Sequence, residues 1–143
     1  IGYVGVVVSY VGQEHVDRYR ATDGEEGHEW LGTQVLLLTT KGRRSGEFRT
    51  VPLIYGTSGH DYLVVASKGG SHRPPAWYLN LEADPEVEVQ VKGDRFKARA
   101  RDATSKEKPE MWKTMTAEWP AYDDYQNRSE RRIPVVVLER YPA

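Results

Sequence analysis

The chain has 143 residues, a formal net charge of −1 and no cysteine. That length suits one ordinary domain with its own core, and the missing thiols exclude a disulfide scaffold, thiolate metal sites and a cysteine nucleophile. So small a net charge provides no global field for nucleic acid, and an anionic ligand would have to be met by a local cluster of cations.

The chain begins at Ile1 instead of methionine, so upstream residues are expected. IGYVGVVVSYVG is too short to span a bilayer and lacks signal-peptide anatomy. Its Val4, Val7, Val8 and Val11 fall at helical spacing, which predicts a helix laid on the core or on a membrane surface. Residues 21–33, rich in glycine and acid, read as a connector. Residues 1–33 are therefore expected to be an N-terminal helical and connector segment, and residues 34–143 the folded domain.

QVLLLTT (34–40) is a continuous apolar run, the mark of a strand buried on both sides. KGRRSGE, with Gly42 and Gly46, suits a hairpin turn into a second strand, FRTVPLIYG. Pro52 within it requires an edge position or a bulge. TSGHD forms the next turn and YLVVAS the third strand, followed by a loop of paired glycines and prolines. AWYLNLEA reads as two turns of helix, ended at Asp84-Pro85. EVEVQV and RFKARARDA alternate as two further strands. Thr104 and Glu107 form a capping-box pattern, and Met111, Met115, Trp119 and Tyr122 then share a helical face that Pro120 should break or kink. IPVVVLER is the sixth strand. Six short, mostly antiparallel strands with helical insertions predict a mainly β, α+β domain: a small closed or half-closed barrel that hides its edges.

Lys41, Arg43, Arg44 and Arg49 crowd the first hairpin, and arginine offers bidentate geometry to phosphate and carboxylate. A solvated turn is the plain alternative. Ser67-Lys68-Gly69-Gly70 follows the third strand, where exposed amides, Lys68 and Arg73 could meet the other end of the same ligand. Trp77 and Tyr78 open the short helix, while Trp119, Tyr122 and Tyr125 cluster around Pro120. Such rings suit a flat conjugated ligand, although core packing also explains them, Trp77 and Trp112 above all. The four histidines show no ligand pairing, so no metal site is expected. Asp123-Asp124 point apart on a helix and read as a solvated face. No P-loop, Rossmann or G-x-S-x-G signature occurs.

The strings TTKGRRSGEFRTVPL, ASKGG, PAWYLNLEADPEVEVQ, WPAYDDYQ and RIPVVVL, in that order, resemble the deazaflavin (F420)-dependent nitroreductase family of actinobacteria. The resemblance covers about residues 34 to 139. It implies a six-stranded antiparallel split β-barrel of the FMN-binding type, with coenzyme F420, an 8-hydroxy-5-deazaflavin bearing a phosphodiester and an oligoglutamate tail. By resemblance, Lys41, Arg43, Arg44, Ser45 and Arg49 would hold the anionic tail and phosphate. Thr50, Val51, Pro52, Leu53 and Ile54, with Val65, Ala66, Ser67 and Lys68, would line the ring's groove. Ala76, Trp77, Tyr78, Leu79 and Asn80 would close its far side. Trp119, Tyr122 and Tyr125 would form the acceptor face near Ser67, with Tyr122 donating a hydrogen bond or proton to the acceptor and also touching the coenzyme.

The implied activity is hydride transfer from reduced F420 to a quinone such as menaquinone, or to a nitroaromatic. Trp119 stands where the best-known nitroimidazole-activating member has tyrosine, which alters the acceptor pocket. The absence of cysteine makes the cytoplasm the expected compartment, and a lipid-dissolved quinone acceptor predicts association through the N-terminus with the inner face of the membrane. An FMN-dependent split-barrel oxidoreductase and a non-catalytic deazaflavin carrier are the alternatives.

Overall fold

A computed structural model describes residues 12–142, so the expected helix through Val4 to Val11 lies outside the described residues. The elements are α1 (Gly12–Ala21), β1 (Glu29–Trp30), β2 (Thr33–Lys41), β3 (Phe48–Ile54), β4 (Gly56–Ser58), β5 (Asp61–Val65), a 3-10 turn (Lys68–Gly70), α2 (Ala76–Ala83), β6 (Glu86–Val91), β7 (Asp94–Asp102), α3 (Lys108–Glu118), α4 (Ala121–Arg128) and β8 (Val135–Arg140).

The strands form one antiparallel sheet in the order β1-β2-β6-β7-β8-β5-β4, with β3 also paired to β2. The chain passes from β3 through Tyr55 straight into β4, which joins β5. The sheet thus curls until β3 and β5 come into contact without sharing a ladder. This is a half-open barrel of eight strands, two more than the sequence reading counted. The additions, β1 and β4, are two and three residues long, too short for alternation to be visible.

Alternation sorts the side chains. Leu36 and Leu38 of β2, Val87 and Val89 of β6, Ala98 and Ala100 of β7 and Val136 and Leu138 of β8 fill the barrel, with Trp77 and Leu81 of α2. The other face of β2 is buried too, because Val35 and Leu37 pack against Val16 and Tyr19 of α1. That double cover is why QVLLLTT is apolar throughout. A second cluster lies outside the barrel, where Leu63, Val65, Val135 and Val137 meet Met111, Met115 and Tyr122.

Tyr55 N donates to Gln34 O at 3.0 Å. With the register Leu36↔Leu53 and Leu38↔Val51, the odd-numbered residues of β3 therefore exchange hydrogen bonds with β2, and the even-numbered ones turn their amides to the opposite edge. Pro52 is among the latter, so its missing N–H costs the ladder nothing. The Thr104/Glu107 box forms: Thr104 N donates to Glu107 Oε1 at 2.9 Å, and Glu107 N to Thr104 Oγ1 at 3.2 Å. Pro120 separates α3 from α4, leaving Trp119 extended at φ −143° between them.

Candidate functional site

The open edge of β3 faces a cavity of about 500 Å³. Val51, Pro52, Leu53 and Ile54 form one wall, Val65, Ser67, Lys68 and Gly69 another, and Trp119, Tyr122 and Tyr125 the third. At its far end Val51 and Trp77 also line a second depression of about 440 Å³, completed by Arg43, Arg44, Ser45, Arg49, Ala76 and Asn80. An aromatic chamber and a cationic trough thus adjoin at Val51 and Trp77.

Local structure sets each end. In the hairpin, Gly42 N donates to Glu47 O at 2.7 Å and Gly46 N to Gly42 O at 2.8 Å. Arg43 is pinned there, since its amide and Nη1 both donate to Asn80 Oδ1, at 3.2 and 3.0 Å. Asn80 Nδ2 in turn donates to Thr40 Oγ1 at 3.1 Å, which ties the hairpin to α2. Arg49 pairs with Glu47 at 3.5 Å, between two exposed side chains. So loose a pair is worth little in water and yields easily to a competing anion.

At the aromatic end, Pro120 turns the chain so that Tyr122 and Tyr125 share one face of α4, their rings 6.1 Å apart and edge-on. Trp119 Nε1 donates to Tyr125 Oη at 3.2 Å, and Trp119 lies 5.9 Å from Trp30 of β1. Burial, reinforced by Tyr125 and Glu118, pushes the Tyr122 phenol far above its ordinary value. It therefore keeps its proton and has a hydrogen bond to donate.

Not every residue expected at the groove reaches it. Lys41 lies on the outer face of β2 with Thr39 and opens onto a separate depression beside Phe48, Glu86, Glu88 and Lys97. Thr50, paired to Thr39 on that same face, bonds Thr39 Oγ1 and accepts from Arg20 Nη2. Ala66 is buried in the barrel core. The hydroxyl of Tyr78 turns away to Asp102 and Glu82, and Leu79 borders neither depression. Strand alternation and helix rotation are the causes. Conversely, Gly12, His15 and Trp30 line the chamber although all three lie in the stretch read as an N-terminal connector. Asp123 is exposed as expected, but accepts a 2.7 Å hydrogen bond from Trp112 Nε1. Among the described residues no group of three His, Asp or Glu side chains gathers at a metal-binding distance, and no helix is long and apolar enough to cross a membrane.

An aromatic chamber thus meets an arginine-lined trough. The family model of F420H(2)-dependent quinone reductases matches residues 11–140. The chain belongs to that family. An F420H(2)-dependent quinone reductase of Mycobacterium tuberculosis is 41% identical over 126 residues, covering 85% of each chain. The solved F420-H2 dependent reductase FDR-A is 38% identical with a TM-score of 0.68, over 73% of this chain and 93% of that one. A structure described as a domain-swapped dimer is 34% identical with a TM-score of 0.72, over 89% and 96%. For this F420H(2)-dependent quinone reductase family member the fold class is thereby settled as a mainly antiparallel half-barrel of the split-barrel kind, and the family's coenzyme is F420.

Proposed function

We propose that the chain binds reduced F420 along the groove and passes a hydride to a quinone held against Trp119, Tyr122 and Tyr125, with nitroaromatics as further acceptors. The observation that carries this reading is the sharing of Val51 and Trp77 between chamber and trough, which lets one ligand span both. The chamber fits a flat ring by its aromatic walls. The trough fits a phosphodiester and glutamate tail, because three arginines face it and the one carboxylate held to them, Glu47, is exposed.

When bound, F420H2 supplies the electron pair as hydride. Residues of this chain do the rest. Arg43, Arg44 and Arg49 hold the anionic end, and Trp77 walls the groove where the two compartments meet. Ser67 and the amide of Ile54, which points off the ladder, are placed to orient the ring's polar edge. Tyr122 donates a hydrogen bond to the acceptor oxygen as charge develops there. Trp119 occupies the indole-sized part of the acceptor wall and, with Trp30, narrows the acceptors admitted. Residues 34–143 carry the coenzyme groove and residues 12–33 contribute one flank of the chamber. Contact with a membrane surface would bring a lipid-dissolved quinone to this mouth.

Tryptophan quenching should show F420 binding tighter than FMN, and the reduced coenzyme should lose its electrons to a menaquinone analogue. Tighter binding of FMN would make the chain a flavin enzyme of the same fold. Binding of F420 without oxidation by any quinone or nitroaromatic would make it a carrier.

A further inference from the structure

Arg131 was not among the residues singled out in the sequence. It stands in the connection between α4 and β8, and its half-buried guanidinium points at backbone carbonyls. Nε donates to Ser71 O at 2.8 Å, while Nη2 donates to Ala66 O at 3.1 Å and to Ser67 O at 2.8 Å. No carboxylate pairs with it among the described residues. Burial accordingly holds its pKa below the usual arginine value, with Tyr78 acting weakly in the opposite sense.

The three carbonyls bracket the turn that carries the chamber wall. Lys68, Gly69 and Gly70 have φ of 45°, 63° and 83°, three left-handed residues in a row. Such a run is intrinsically unfavourable for the lysine and is closed by only two backbone bonds, Gly70 N to Ser67 O and Ser71 N to Lys68 O. The turn therefore needs an external hold. Arg131 supplies it through one rigid fork, a geometry that lysine's single ammonium cannot reproduce.

The same segment is tied to the tyrosine helix. Gln126 Nε2 donates to Arg131 O at 2.9 Å, and Ile133 N donates to Gln126 Oε1 at 2.8 Å. The turn also lies directly on α4, for a Cβ at Gly70 would sit 2.9 Å from Tyr125 O. We infer that Arg131 is a positioning residue: it sets the placement of Ser67 and Lys68, on the coenzyme wall, relative to Tyr122 and Tyr125, on the acceptor wall. It lines neither the chamber nor the trough and acts through the turn. The inference rests on the functional reading above for its catalytic consequence, but the hold on the turn stands apart from it.

Two variants of the full chain test this, Arg131→Gln and Arg131→Lys, each followed by amide hydrogen exchange without coenzyme and by F420 titration and turnover. Exchange at Gly70 and Ser71 should quicken about tenfold or more in both variants, with β5 and β8 protected as before. F420 affinity should fall about tenfold, and turnover at saturating coenzyme should fall as well. Unchanged exchange in the turn overturns the proposal. So does faster exchange spread over the whole sheet, or failure of both variants to fold, since either makes Arg131 a determinant of the fold alone. A lysine variant indistinguishable from the parent overturns it too, because charge without the fork would then suffice. If the parent chain fails to bind F420, the functional reading falls while the exchange comparison still decides the hold on the turn.

Discussion

The two ends of the groove are built on opposite physical principles. The trough gathers exposed arginines on a hairpin, held by Asn80 and a loose Glu47 pair, so its attraction for an anion is long in range and open to salt. The chamber is lined by buried or half-buried rings on α4 and its approach, where Tyr122 retains its proton through burial and Trp119 fixes Tyr125. On the proposed function, one end would capture the coenzyme and the other would select the acceptor. Binding energy can be gathered far from the reacting atoms and used to hold them in place.

That contrast can be broken at either end. The largest effect is expected for Tyr122→Phe, which removes a hydroxyl from the reacting end: turnover should fall about 100-fold, with F420 affinity unchanged by tryptophan quenching. Turnover equal to the parent's would remove Tyr122 from the mechanism. Next comes Arg43→Ala combined with Arg44→Ala, for which F420 affinity should drop about tenfold at low salt. The loss should grow with tail length and shrink at high ionic strength, while turnover at saturation holds. A loss independent of tail length would detach these arginines from the tail.

The smallest effect is expected away from both ends. Glu107 takes a bidentate hydrogen bond from Arg101, at 2.7 and 3.0 Å. That pairing first, and the Thr104 amide second, lower its pKa from 4.5 to about 2. A depressed carboxylate contributes stability above its unfolded pKa and loses it as the pH falls through the folded one. Glu107→Gln should therefore lower the melting temperature modestly at neutral pH, with the gap closing between about pH 4.5 and pH 2. A gap constant with pH would show that the charge is not what stabilises the cap. Activity is the control here and should not change.

Much of this was legible from residues alone. QVLLLTT, AWYLNLEA and EVEVQV match β2, α2 and β6 within a residue or so, since a continuous apolar run, a short helix-forming stretch stopped at Asp84-Pro85 and a strict alternation each leave a clear mark. The lining of the two depressions was readable where chemistry and position coincide, at Arg43, Arg44 and Arg49, at Ser67, and at Tyr122 with Tyr125. It failed where a side chain's face decided the matter: Lys41 and Thr50 share the outer face of the β2-β3 pair, as strict alternation from Leu37 would have shown. Helix α1 was missed because GQEHVDRYRA buries only His15, Val16 and Tyr19, too few for an apolar stripe. Trp30 and Arg131 carry no local signal at all. Their roles come from segments that only the folded chain brings together.

Pro52 has a consequence beyond the ladder it spares. The rim of β3 beside the chamber offers amides at Thr50 and Ile54 and none between them, whereas a foreign strand would require a donor at every second position to zip onto it. A small molecule can use the scattered donors. An invading strand would lose a ladder hydrogen bond at Pro52, which disfavours edge-to-edge pairing along this rim.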